Sequence, residues 1–142
     1  MNRVLVPVDG SKPARSALEY ALEQFPDAEL TLLYVVDPMV DYSRRRAYPG
    51  YTSDDEHTTE REKGEAILES SLEAIPDDRV VETALEGGPP AQTIVDYADE
   101  HEVDTIVLGS HGRDGVSRYL LGSVAETVVR RAGVPVTTVR GG

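Results

Sequence analysis

The run Val4–Val8 is apolar at every position, and it restricts the possible folds more than any other stretch of the sequence. A strand with one face in water alternates apolar and polar residues, whereas a strand covered on both faces does not. Asp9 and Gly10 then predict a tight turn, and Ser11 is a suitable cap for a helix. A doubly covered strand that leads into a helix is typical of a parallel sheet.

The alternation of strand and helix continues along the chain, which has the length of one domain. Stretches with apolar residues at helical spacing separate the strands. Five strands and four helices predict a single-domain α/β fold over residues 1–142, a doubly wound, Rossmann-like parallel sheet. Polar residues in the third strand and a proline in the last suit sheet edges. The later strands are predicted at Leu30–Val36, Val80–Leu85, Thr105–Leu108 and Val134–Val139.

Two glycine-containing stretches, Leu108–Gly112 and Gly122–Ser123, predict an anion site built from the main chain. The first follows a buried strand, where Gly109 and Gly112 are able to take positive φ and let a ligand approach closely. The second lies where a helix is predicted to begin. Free N–H groups and the positive end of the helix dipole favour phosphate at such a position.

Each part of this predicted site has alternatives. Ser123 and Glu126 match an ordinary capping box. Asp9 could accept hydrogen bonds from sugar hydroxyls, hold a metal, or accept within its own turn. His111 could donate to phosphate at mildly acidic pH, and no neighbouring carboxylate or nucleophile suggests a catalytic base. Ligands of doubly wound sheets bind beyond the carboxyl ends of the strands, so Asp9 faces the glycine loop if strands one and four are adjacent.

Composition argues against several other classes of protein. The 142 residues include no cysteine, which excludes disulfides, thiol catalysis and zinc–thiolate sites. A Walker A loop, a GxGxxG after the first strand and a Ser-His-Asp arrangement are all missing from the sequence, so catalysis is not indicated. A formal charge of −12 repels nucleic acid. No uninterrupted apolar run approaches the length of about 18 residues that a transmembrane helix requires. We therefore expect a cytoplasmic protein that binds neither nucleic acid nor membrane.

The stretch from Asp37 to Thr58 has no periodicity and predicts a long loop. Its arginines, Arg44–Arg46, could reach a phosphate or a partner's carboxylates, although a solvated charge run is the simpler interpretation. The following helix could begin at either of two capping boxes, one starting at Ser53 and the other at Thr59.

The spacing Gly109-x2-Gly112-x9-Gly122-Ser123 resembles the nucleotide-binding signature of the universal stress protein family, in its ATP-binding branch. The first strand with its Asp9-Gly-Ser turn, the segment Leu32–Asp37 and the segment Gly133–Val136 are similar to the family's first, second and last strands. The resemblance covers essentially the whole chain apart from the long loop.

This resemblance implies strand order 3-2-1-4-5 and a bound adenine nucleotide, ATP or else AMP or ADP. It also implies magnesium or manganese bridging the phosphates, and a homodimer formed through the last strand, Val134–Val139. Hydrolysis would be slow or partner-dependent. By position, the adenosine pocket would contain Pro7, Val8 and Asp9, with Asp9 on the ribose, while Val35 would meet adenine through its main chain. The ribose and phosphates would lie along Leu108, Gly109, Ser110, His111 and Gly112, and the phosphate cradle would be Gly122, Ser123, Val124 and Ala125.

The sequence thus predicts an adenine-nucleotide-binding stress or signalling protein, a dimer whose occupancy changes a surface that an unknown protein partner recognises. One alternative is a slow ATP hydrolase or nucleotidyl-transfer enzyme. Another is a dimeric scaffold without nucleotide, against which the intact signature argues.

The acidic composition, with 26 acidic against 14 basic residues, also suits a high-salt cytoplasm. Salt screens repulsion among surface carboxylates. We therefore expect the midpoint of thermal unfolding to rise steadily from low to molar sodium chloride, as measured by circular dichroism. A midpoint indifferent to salt would contradict this hypothesis.

Overall fold

A computed structural model of the protein describes residues 2–38, 59–110 and 122–140. These residues form five strands and four helices in alternation, as the sequence predicts. The elements in chain order are β1 Arg3–Pro7, α1 Lys12–Gln24, β2 Glu29–Val36, α2 Glu60–Glu73, β3 Val81–Gly87, α3 Pro90–Glu100, β4 Thr105–Ser110, α4 Ser123–Arg131 and β5 Val136–Arg140.

The strands form one parallel sheet in the order β3-β2-β1-β4-β5, which confirms the expected order 3-2-1-4-5. β3 and β5 are the outer strands, in agreement with the polar residues of β3 and with the proline that directly precedes β5. The order in which successive strands are added to the sheet reverses between β1 and β4, where Val4 pairs with Thr105. Helices that leave this point toward opposite faces open a crevice at the carboxyl ends of the two strands.

Successive residues of the central strands pack on opposite faces of the sheet. In β1, Val4 and Val6 belong to one core cluster and Leu5 to the other. The same division in β2 places Leu32 and Leu33 in different clusters. Both faces are therefore apolar, which explains why the strand sequences do not alternate. The helical residues of the first cluster come from α1 and α2 and include Ala17, Leu18, Ala21 and Leu68; those of the second come from α3 and α4 and include Ile94, Ala98, Ala125 and Val128.

Two of the predicted helix caps are confirmed. The Ser11 hydroxyl accepts from the Ala14 N–H at 3.3 Å, and the Thr59 hydroxyl accepts from the Glu62 N–H at 3.1 Å. The second cap selects the later of the two possible starts for α2. The alternative at Ser53 lies outside the described residues, as does most of the predicted loop.

The third, fourth and fifth strands differ from their predicted bounds. β3 spans Val81–Gly87 and not Val80–Leu85, because its pairing with β2 continues to Gly87 opposite Val36. β4 extends two residues beyond Leu108, because the last of its residues, Ser110, pairs with Arg140 of β5. β5 begins at Val136 and not at Val134, since Pro135 has no N–H to donate to a ladder. The glycine of the predicted loop, Gly109, is therefore a strand residue.

The carboxyl end of α1 is closed by a side chain from a distant part of the chain. The last turn of α1 contains no basic residue. Arg79, just before β3, instead donates from Nη1 to the Leu22 carbonyl at 3.2 Å, and from Nη2 to the carbonyls of Phe25 and Ala28 at 2.6 and 3.3 Å. A guanidinium at this position satisfies carbonyls that have no helical partner and complements the negative end of the helix dipole.

Replacing this side chain, Arg79→Ala, is expected to lower the free energy of unfolding by about 2 kcal/mol, because charge-assisted hydrogen bonds to partly buried carbonyls are lost. Urea unfolding followed by circular dichroism measures the change. The control is Arg61→Ala, which removes an exposed pair with Glu65 at 3.6 Å and should cost about 0.5 kcal/mol or less. Equal effects of the two substitutions would show that Arg79 does not stabilise the end of α1.

Candidate functional site

A cavity of ≈190 Å³ lies at the carboxyl edge of the sheet, where β1 and β4 separate. The crossover helices begin at this same edge, so strand ends and helix starts surround the space together. Most of the lining side chains are aliphatic, with Asp9 and Ser11 at the turn after β1. The lining residues are Pro7, Val8, Asp9, Ser11, Ala14, Leu33, Tyr34, Val35, Pro90, Ile94, Leu108, Gly109, Val124 and Ala125.

The cavity brings together most of the residues that the sequence assigned to a nucleotide site. They come from four separate elements: the end of β1, the end of β2, the end of β4 and the first turn of α4. The predicted residues that line it are Pro7, Val8, Asp9, Val35, Leu108, Gly109, Val124 and Ala125.

The remaining predicted residues have different positions. Gly122 and Ser123 directly precede the lining residues of α4. The buried Ser110 hydroxyl donates to the Val139 carbonyl at 3.4 Å, so this side chain is directed toward β5. His111 and Gly112 lie outside the described residues, and their contacts with ribose or phosphate stay predictions.

The start of α4 does not form the capping box that was one alternative for this segment. Gly122 holds the cap position with φ of 89°, and Ser123 is the first helical residue. Gly122 has no side chain to accept from the first N–H groups of the helix, although its carbonyl accepts from the Glu126 N–H at 3.0 Å. Glu126 does not complete a box, and its carboxylate pairs with Arg130 on the next turn. The first N–H groups of α4 thus lie beside the cavity without an acceptor from the cap residue, which is the arrangement that suits an anion.

Asp9 has the structural role that was its alternative, and it also borders the cavity. Its Oδ1 accepts from the Ser11 N–H at 2.9 Å and so closes the turn between β1 and α1. A carboxylate can accept several hydrogen bonds through its two oxygens. The turn contact is therefore compatible with a further hydrogen bond to a sugar hydroxyl.

The role expected for Gly109 in a positive-φ turn was wrong. Gly109 lies in β4, and the described glycines with positive φ are Gly10, Gly88 and Gly122. A Cβ at Gly109 would lie 2.5 Å from the carbonyl carbon and oxygen of Pro13, and 2.7 Å from the Ala14 nitrogen. The first turn of α1 therefore passes directly over this residue. Because Gly109 has no side chain, α1 can pack this close to β4, and the start of α1 forms part of the cavity wall.

Sequence reasoning missed several lining residues: Ser11, Ala14, Leu33, Tyr34, Pro90 and Ile94. Ile94 fits the buried stripe of its helix, so periodicity assigned it to the core alone. Topology offered a signal, because every helix that follows a parallel strand begins at the carboxyl edge of the sheet. The first turns of α1 and α3 are thus natural neighbours of a ligand at that edge.

Two further properties concern metal binding and membranes. Across residues 2–38, 59–110 and 122–140, no three His, Asp or Glu side chains come together as a possible metal site. None of the four helices that these residues form combines the length and apolar composition of a membrane span.

The sequence matches the family model of the Universal stress protein family over residues 1–140. A universal stress protein from Methanocaldococcus jannaschii is 33% identical over 146 residues, an alignment covering 97% of this chain and 81% of that protein. The solved structure of the universal stress protein UspA from Lactobacillus plantarum has a TM-score of 0.70 at 30% identity, with 98% of this chain and 97% of that chain covered. A universal stress protein family protein from Arabidopsis thaliana, solved with AMP bound, has a TM-score of 0.73 at 22% identity, with 100% and 93% covered.

The packing at Gly109 predicts the result of Gly109→Ala. The added methyl group would meet main-chain atoms that cannot rotate away, so α1 must shift, and we expect a loss of about 2 kcal/mol in the free energy of unfolding. Gly87→Ala, at the end of β3, is the matched control, since its Cβ would have the Val36 carbonyl oxygen at 3.9 Å as its nearest neighbour. Urea denaturation of both variants measures the difference, and equal stability would contradict the proposed close packing.

Proposed function

Because the chain belongs to the universal stress protein family, we propose that it binds an adenine nucleotide, foremost ATP, in the cavity between β1 and β4. The observation that carries this proposal is the two-sided construction of the cavity. One wall comes from the end of β1 and the turn after it, with Pro7 and Asp9. The other wall comes from β4 and the start of α4, with Leu108 and Val124. A nucleotide needs an apolar slot for its base and an anion site for its phosphates, and this cavity has an aliphatic interior next to a helix amino terminus.

The end of β2 offers a means of recognising adenine. The ladder between β1 and β2 ends with Pro7 opposite Leu33, and the Val8 N–H donates to the Leu33 carbonyl at 2.9 Å. Alternate residues of a parallel strand direct their polar main-chain groups to the same side. The N–H and carbonyl of Val35 are therefore directed toward the side of β1, beyond the point where that ladder ends. A donor and an acceptor at this place complement the amino group and ring nitrogen of adenine.

The ribose and phosphates would lie between Asp9 and the first turn of α4. Asp9 would accept from a ribose hydroxyl while retaining its bond to the Ser11 N–H. The N–H groups after Gly122 and the Ser123 hydroxyl would donate to the phosphates, as helix amino termini commonly do. The contacts proposed for Ser110, His111 and Gly112 would continue this line, through the main chain in the case of Ser110.

A divalent cation, magnesium or manganese, would bridge phosphate oxygens. Such an ion usually keeps several waters and takes few protein ligands, so it does not require a cage of carboxylates. The ion would reduce repulsion between the triphosphate and a chain with a formal charge of −12.

We further propose that two copies associate through the last strand, β5, which was predicted at Val134–Val139, and that nucleotide occupancy changes a surface recognised by a protein partner. β5 is the outer strand beside β4 in the described sheet, and an outer strand can pair with another chain. The AMP in the Arabidopsis thaliana protein is compatible with the nucleotide proposal, because that protein shares the fold and AMP contains the same base and sugar.

The direct test is to release any bound ligand by unfolding the purified protein, refold it, and titrate it with ATP and magnesium by calorimetry. Saturable binding with one site per chain is expected. No binding at millimolar ATP would end the proposal.

The variant Asp9→Asn tests the ribose contact. Asparagine can still accept from the Ser11 N–H, so the thermal midpoint should change little, whereas ATP affinity should fall about tenfold as a charge-assisted hydrogen bond becomes a neutral one. Asp27→Asn is the control for charge, because it removes one exposed carboxylate from the turn after α1. The control should leave affinity unchanged or slightly raised, since ATP is an anion. An Asp9 variant that behaves like the control would contradict the ribose contact.

A further inference from the structure

Tyr34 is a buried strand residue that belongs to two parts of the molecule. It is among the residues that line the cavity, next to Val35 at the end of β2. Its side chain, however, packs in the core cluster under α1 and α2, on the opposite face of the sheet from Leu33. Tyr34 therefore connects the cavity edge of β2 with the helices on the far face.

The Tyr34 hydroxyl donates to Oε2 of Glu60 at 2.9 Å, and the two side chains are 4% and 5% exposed. Glu60 is the first residue of α2, immediately after the cap Thr59. A carboxylate at a helix amino terminus is stabilised by the helix dipole, and its hydrogen bond to a phenol in a buried place is stronger than the same bond in water.

Gly64, one turn further along α2, gives the second contact with Tyr34. A Cβ at Gly64 would lie 2.4 Å from Cδ1 of the Tyr34 ring and 2.7 Å from Cε1. A glycine inside a helix is destabilising relative to alanine. Here it allows the helix main chain to lie directly against the ring. The hydroxyl and the ring of one tyrosine thus fix the first turn of α2.

The buried residues of α2 lie close together on one side of the helix. Its buried residues are Glu60, Gly64 and Leu68, which form a single narrow stripe. A groove of ≈890 Å³ separates α1 from α2, with Leu18 on one side and Ile67 on the other. The position of α2 therefore depends more on its packing against β2 than on contact with α1.

We infer that the contact of Tyr34 with Glu60 and Gly64 is a positioning contact that couples ligand binding at the end of β2 to the first turn of α2. This inference rests on the proposed binding of an adenine nucleotide at Val35. A ligand that holds the Val35 main chain fixes the adjacent Tyr34, and the tyrosine transmits this restriction through its hydroxyl and ring. By thermodynamic linkage, the factor by which bound nucleotide favours the Tyr34 contact equals the factor by which the formed contact raises nucleotide affinity. A substitution that removes the contact should therefore weaken nucleotide binding.

The test is the variant Tyr34→Phe, which keeps the ring on Gly64 and removes the hydrogen bond to Glu60. ATP affinity should fall about five- to tenfold, the lower part of the range for coupled sites. Hydrogen exchange supplies a second measurement: ATP should slow exchange of the amides of residues 61–64 in the original protein and have little effect on them in the variant. Glu60→Gln keeps an acceptor for the phenol and should retain more affinity than Glu60→Ala.

The matched control is Tyr20→Phe, which removes the same hydroxyl from a partly buried tyrosine packed against the same core cluster. Its ATP affinity and its exchange response should equal those of the original protein. If Tyr34→Phe is less stable but keeps full affinity and a full response at residues 61–64, the contact is merely structural and the inference is overturned. If the original protein does not bind ATP at all, the proposed function has failed instead, which distinguishes the two failures.

Discussion

The contact between the first turn of α1 and Gly109 is the constraint on which the cavity depends. β1 and β4 are neighbours at the switch point, and α1 must leave β1 at once and pass over the end of β4. Main-chain atoms of Pro13 occupy the space that a Cβ at position 109 would need. This close packing holds the start of α1 beside β4, so that the turn containing Asp9 and the start of α4 border the same small space.

The cavity presents main-chain groups and aliphatic surfaces, and it offers few titratable side chains. Val35 contributes its N–H and carbonyl, and α4 contributes the N–H groups after Gly122. Asp9 is the acidic residue among the lining residues of the described chain, and its carboxylate is already engaged in a turn. Main-chain groups of this kind can hold a ligand in place through hydrogen bonds, which supports the proposed binding of a nucleotide.

The sequence predicted the elements that follow from local rules and not the contacts between distant residues. Continuous apolar runs identified the buried strands, and Ser11 marked the start of α1 correctly, whereas the sequence left Ser53 and Thr59 as two possible starts for α2. The strand order followed from the family resemblance, since periodicity does not say which strands are neighbours. Periodicity could not show that Ile94 borders the cavity, because burial in a core and burial beside a ligand have the same pattern. The role of Gly109 depends on its packing against Pro13, which is distant in sequence. Local sequence rules cannot show this contact, and they predict a turn for a glycine at that position.

The packing of Gly64 against Tyr34 has a consequence for the divergence of related sequences. Alanine is the easiest replacement for a helical glycine, yet position 64 cannot accept it while an aromatic ring occupies position 34. Substitution at position 34 can come first: a smaller residue there would leave a gap, and a side chain at position 64 could then fill it. The two positions should accordingly change together between relatives.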